Sequence, residues 1–205
     1  MTRLIIARHG NTFGPDDIPT RVGKHTDLPL VESGREQARR IGAYLQAERL
    51  IPDVVYASNL QRTQETARIA IKESGVSNPV FTLDMFDEID YGPDEDKVEA
   101  DVIARIGADA IAAWDESAVV PEGWGVDPDQ IIRNWQDFGE QIRAHDDNET
   151  VLVVTSNGVA RFAPYLMGDF DGFRGEYEIK LATGALGVFV FENGGWVVKE
   201  WGLKV

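Results

Sequence analysis

Two short apolar runs, each ending on a polar turn, constrain this chain more than any other feature. Leu4-Ile5-Ile6-Ala7 runs into Arg8-His9-Gly10, and far downstream Val153-Val154-Thr155 runs into Ser156-Asn157-Gly158. A short apolar run bounded by turn residues is the pattern of a strand buried on both faces, as in parallel sheets covered by helices on each side. Such sheets bind ligands outside the carboxyl ends of their strands. The first turn therefore sets a guanidinium and an imidazole at the ligand edge, and the second sets an amide there.

The segments between these runs alternate in character. After a loop over 11–33, Ala38, Ile41, Leu45 and Leu50 recur near a helical period, with Ser33 as the expected cap. Val54–Ala57 reads as a strand, Ser58 as the cap of a helix through about Lys72, and Val80-Phe81 as a short strand. Helices are expected over 97–116, 128–145 and 159–167, and Thr150–Thr155 as a buried strand. Leu186–Phe191 and Trp196–Gly202 flank Asn193-Gly194-Gly195, a hairpin signal. This order predicts an α/β fold, a three-layer sandwich with a mostly parallel central sheet. One domain over 1–205 is expected, with a helical and acidic insertion at about 84–147.

Composition narrows the function. With 35 acidic against 20 basic residues the formal charge is -15, a field that repels nucleic acid and anionic membranes. A phosphorylated ligand is repelled too unless arginines such as Arg8, Arg21 and Arg62 cluster locally. There is no cysteine, hence no disulfide, thiolate metal site or cysteine nucleophile. No basic segment followed by an apolar run opens the sequence, and no stretch approaches the ~18 apolar residues of a membrane span. A soluble cytoplasmic protein is expected.

Further motifs join the first turn: Arg21-Val22-Gly23, Thr26-Asp27-Leu28-Pro29-Leu30, and Ser58-Asn59-Leu60-Gln61-Arg62-Thr63-Gln64-Glu65-Thr66-Ala67. With Arg8-His9-Gly10 these patterns resemble the histidine phosphatase superfamily, which includes phosphoglycerate mutases and many small phosphatases. The resemblance implies a phosphoglycerate mutase-like fold and His9 as a nucleophile that forms a phosphohistidine. It implies Arg8 and Arg62 as clamps on the phosphoryl oxygens, joined by Thr12, Asn157 and Gly158. Glu88, in Phe86-Asp87-Glu88-Ile89-Asp90-Tyr91-Gly92, would be the general acid, with Asp87 and Asp90 as alternatives. Crowding by carboxylates is expected to raise its pKa, since 84–101 holds nine acids against one base. A calcium site there is the rival reading, but the run lacks EF-hand spacing.

The chain departs from the family where a second histidine is usual and Asn157 stands instead. An amide keeps an N–H donor but carries no charge. The acidic loop Gly92-Pro93-Asp94-Glu95-Asp96 and the stretch Phe13-Gly14-Pro15-Asp16-Asp17 also differ, implying a different leaving-group pocket and doubt over one phosphate contact. Arg21 and Trp124 are candidate substrate-binding residues. Trp114 and Trp135 read as core or lid packing, His25 as a loop residue and His145 as a solvated helix residue. The reading is a phosphomonoester hydrolase, slowed or specialised by Asn157, that needs no metal or cofactor and takes a small phosphorylated substrate. A homodimer is compatible with it. A near-inactive phospho-ligand binding protein and a mutase-type phosphotransferase are the alternatives.

Overall fold

The computed structural model describes residues 1–145 and 148–205. Strands β1 (Arg3–Arg8), β2 (Val54–Ala57), β3 (Val80–Thr82), β4 (Thr150–Thr155), β5 (Ala185–Glu192) and β6 (Gly195–Lys204) form one sheet in the order β3-β2-β4-β1-β5-β6. The first four in that order run parallel, and β5 and β6 are antiparallel to their neighbours. The expected sandwich with a mostly parallel sheet is what forms. Register Ile5↔Leu152 and Ile6↔Val153 sets the two apolar runs side by side, so both polar turns emerge at one edge.

Alternation along these strands makes two cores. Ile5, Ala7, Leu152 and Val154 face α1 (Glu32–Ala47) and α2 (Gln61–Glu73), where they meet Ile41, Leu45, Ala67 and Ala70. Leu4, Ile6, Val151 and Val153 face the opposite layer, built on Trp114, Trp135 and Phe138. That layer comes largely from the acidic and helical segment: α3 (Glu99–Ile106), α4 (Ala108–Ser117) and α5 (Pro128–His145). The insertion expected to end at about residue 147 therefore supplies one face of the sandwich, though its last two residues lie outside the described ones.

Several local expectations are corrected. The single helix over 97–116 is two, divided at Gly107, whose φ of 86° no side-chain-bearing residue adopts readily. Ser33 is not the cap of α1, which starts at Glu32; nor does Ser58 sit at the cap of α2, which starts at Gln61. The Gln61 amide is satisfied instead by Asp27 Oδ1 at 2.8 Å, from a distant loop. The helix expected over 159–167 is one turn, α6 (Asn157–Ala160), followed by a 3₁₀ stretch, Ala163–Met167, with Pro164 in its first turn. Past it lies α7 (Phe170–Glu176). At the hairpin, Asn193 and Gly194 both have positive φ, 53° and 85°, the geometry that matches a two-residue turn to strand twist.

Candidate active site

Arg8 ends β1, Thr155 ends β4, and α6 begins at Asn157, so the sheet edge carries Arg8, His9 and Asn157 together. A 3₁₀ turn, Asp84–Phe86, follows β3 and is tied to the same edge by Thr155 Oγ1, which donates to the Phe86 carbonyl at 2.7 Å. That tie delivers Glu88. A cavity of about 510 Å³ opens here, with Arg8, His9, Thr12, Arg21, Glu88 and Asn157 in its wall. Six sequence candidates thus converge on one space.

The His9 imidazole is held by its backbone. Nδ1 lies 2.7 Å from the Gly10 carbonyl oxygen, which only accepts, so Nδ1 carries the proton. Nε2 is then the unprotonated nitrogen, and consistently it accepts from Arg62 Nε at 3.3 Å. Burial, reinforced by the nearby Arg62 and Arg8 charges, holds the His9 pKa well below the usual imidazole range. The ring is neutral at neutral pH.

Glu88 is buried, with Oε1 accepting from the Ile89 amide at 2.9 Å and Oε2 from the Gly158 amide at 3.2 Å. Its pKa is raised, as expected, but by desolvation rather than by crowded carboxylates, and the Arg62 and Arg8 charges act against the rise. Several of the other acids hold backbone amides and side chains of the surrounding loops. Asp87 accepts from the Asn59 amide at 2.7 Å and Asp90 from the Gly92 amide at 2.7 Å. Glu95 Oε1 gathers the Gly23 and His25 amides and the Thr26 hydroxyl, and Asp94 pairs with Arg105 and accepts from Trp124 Nε1. Much of the acidic run therefore fixes loops around the cavity. Among the described residues no three His, Cys, Asp or Glu side chains gather as a metal site.

Three candidates stand differently from the sequence reading. Arg62 is fully buried beside His9 and does not line the cavity; its Nη groups donate to the Thr26, Val22 and Gly23 carbonyls. Gly158 spends its amide on Glu88 and is likewise absent from the wall. Trp124 packs edge-on to Tyr91 and Trp114 and sits 5.2 Å under the Arg21 guanidinium, supporting that arginine from behind. Arg21 itself faces the cavity and pairs with Glu99 Oε2 at 2.7 Å. Trp114 and Trp135 are core as expected, while His25 and His145 are exposed, near Asp90 and Glu149 respectively.

Asn157 is buried in the wall, and its Oδ1 accepts from the Leu181 amide at 2.9 Å. That bond orients Nδ2 as the free donor, with no protein acceptor among the described residues. Arg8 Nη1 donates to the neighbouring Leu181 carbonyl at 2.7 Å, and its buried Nε has no partner. Sequence reasoning missed Arg161, Asp115, Lys180, Tyr91 and Thr183, all in the wall. Only Arg161 had a local signal, one helical turn beyond Asn157; the others arrive by tertiary folding.

The mostly parallel sheet thus presents a buried, neutral histidine among arginines, beside a carboxyl of raised pKa, at its ligand edge. The profile of the histidine phosphatase superfamily (branch 1) matches residues 4–204, and the chain belongs to that superfamily. A 2,3-bisphosphoglycerate-dependent phosphoglycerate mutase of Clavibacter sepedonicus is 33% identical over 68% of this chain and 57% of its own length. The chain thus spans little more than half the length of that relative. A mutase of the same description from Azorhizobium caulinodans is 28% identical over 89% of this chain and 88% of its own. Among solved structures, phosphoserine phosphatase from Entamoeba histolytica, crystallised as a mutant with phosphoserine, superposes with a TM-score of 0.77 at 18% identity, covering 98% and 97% of the two chains. The alpha-ribazole phosphatase of Shigella flexneri gives 0.73 at 20%, covering 98% and 96%. At these identities the structural likeness concerns the fold. Among the described residues no helix is long and apolar enough to cross a membrane.

Proposed function

We propose that the protein hydrolyses small phosphomonoesters through a covalent phosphohistidine on His9. The observation that carries this reading is the His9 Nδ1 bond to the Gly10 carbonyl, which leaves Nε2 with its lone pair in a neutral imidazole on the cavity wall. Nε2 attacks phosphorus as the ester P–O bond breaks, and Glu88 gives its proton to the departing oxygen. The Glu88 carboxylate then takes a proton from water, whose oxygen attacks phosphorus and releases phosphate, restoring both groups. Arg8, with an unpartnered Nε, and Asn157, with a free Nδ2, are the donors available to the phosphoryl oxygens. Arg62 Nε, now on His9 Nε2, passes to a phosphoryl oxygen once that nitrogen is bonded to phosphorus.

Turnover of an aryl phosphate with a chelator present, followed by rapid quench, tests the reading. An acid-labile, base-stable phosphoenzyme that is lost in His9→Ala supports it. The mutase relatives favour one rival, transfer of the phosphoryl group to a second alcohol, which the same quench reveals as phosphorylated acceptor in place of free phosphate. Phosphate binding without turnover of any ester in a broad panel would replace both with a phospho-ligand binding role.

A further inference from the structure

Arg161 lies in the wall of the same cavity as Arg8, His9 and Asn157, and only 1% of it is exposed. Its guanidinium is fixed on several sides. Nε donates to the Asn157 carbonyl at 3.3 Å, Nη1 donates to the Trp114 carbonyl, and the plane rests 3.9 Å from the centre of the Trp114 ring. Nη2 makes no hydrogen bond among the described residues: its ion-pair partner, Asp115 Oδ1, is 3.6 Å away. Asp115 is also shared with Lys180 Nζ at 2.7 Å, so the buried cation is only partly neutralised. A rigid guanidinium with one uncommitted edge on a cavity is preorganised for an oxyanion, which would complete its neutralisation.

Asn157 brings a neutral amide to this wall, and Arg161 is bonded to its backbone from the next turn. We propose that Arg161, through Nη2, donates to a phosphoryl oxygen and supplies the positive charge that Asn157 does not. The assignment of a phosphoryl ligand rests on the phosphatase reading above. Position and charge are then split between two side chains: Asn157 places a neutral donor and Arg161 brings the charge. Arg161 thereby acts as a ligand-binding residue rather than as filler of the core beside Trp114.

Inorganic phosphate affinity by calorimetry and aryl phosphate turnover, in Arg161→Gln and Arg161→Lys with and without Asn157→His, test the proposal. Arg161→Gln should weaken phosphate at least ~10-fold and lower kcat by roughly 10²–10³-fold, with Arg161→Lys in between. Adding Asn157→His to Arg161→Gln should raise kcat by more than the same change does in the wild type, because one cation substitutes for the other. Phosphate affinity within twofold of wild type in Arg161→Gln, or equal gains in the two backgrounds, would overturn it. Should Arg161→Gln not fold, the arginine Nε–H resonance of ¹⁵N-labelled wild type, assigned through its contact with Trp114, must move on phosphate addition; a fixed resonance overturns the proposal. Wild-type protein that binds phosphate through Arg161 yet hydrolyses no ester removes the phosphatase reading and leaves the Arg161 assignment standing.

Discussion

The Gly158 amide donates to Glu88 Oε2 at 3.2 Å, and a Cβ on Gly158 would meet Glu88 Oε1 at 2.2 Å. The turn after β4 and the segment after β3 are thus fitted to one another by a missing side chain. Gly158, expected among the phosphate-binding residues, seats the Glu88 carboxyl, and the contact is with that buried group itself.

Gly158→Ala is accordingly expected to push the Glu88 carboxyl out of place. A displacement of about 1 Å is expected to lower kcat by roughly 10²-fold, with inorganic phosphate affinity changing little. Steady-state kinetics beside calorimetry separates the two, and unaltered kcat would remove Glu88 from the mechanism.

The activity profile should lie toward acid pH. His9 is neutral only above a pKa that burial and the arginines hold low, so activity falls as pH drops through it. Glu88 is protonated only below a pKa that burial raises, so activity falls again as pH rises through that value. A kcat/KM profile flat from acid to alkaline pH would contradict both assignments.

His9 also ties stability to pH. The unfolded imidazole protonates near ~6.5, whereas the folded one resists protonation to lower pH. Stability is therefore present above that unfolded value and lost as pH falls toward the folded one, at up to about 1.4 kcal/mol per pH unit. Urea melts of His9→Asn and wild type at pH 7 and pH 5 should show the smaller loss in the variant.

Removing Arg62 should disturb both fold and chemistry. Arg62→Ala leaves the buried Gly23 carbonyl and the part-buried Val22 and Thr26 carbonyls short of a donor and is expected to cost about 2–4 kcal/mol. It also lifts a positive charge from beside His9, whose imidazole should then titrate higher. Two-dimensional NMR of the ring follows that shift directly, and an unmoved titration would show the pair to be uncoupled.

Asn157→His is expected to raise kcat on a generic phosphomonoester by roughly tenfold, since a charged donor is worth ~1–2 kcal/mol over a neutral one. A fall in activity would mean that the wall is shaped to the amide.

The sheet was legible because its signals are local. Apolar runs with polar ends name buried strands, and Asn193-Gly194 names a hairpin turn whose positive φ values the structure realises. His9 was legible for the same reason, as the residue just past a strand's carboxyl end. Glu88 was named among rivals whose placement only folding shows: Asp87 and Asp90 are bonded to the Asn59 and Gly92 amides, while Glu88 reaches the cavity. Cap positions failed where a distant residue did the work, as Asp27 does for the Gln61 amide.

By itself the sequence determined the fold class and the superfamily, and it named His9, Arg8, Arg62 and Glu88 as candidates at or near the strand ends. Tertiary structure alone decided which donors remain free for a ligand. Arg62 holds three carbonyls and keeps only Nε, now on the His9 ring, to turn toward a ligand; Gly158 is spent on Glu88 and Trp124 on holding Arg21, whereas Arg161 keeps Nη2 without a hydrogen bond. The reason is physical: a side chain's identity fixes how many hydrogen bonds it can make, but burial and long-range neighbours fix how many are left.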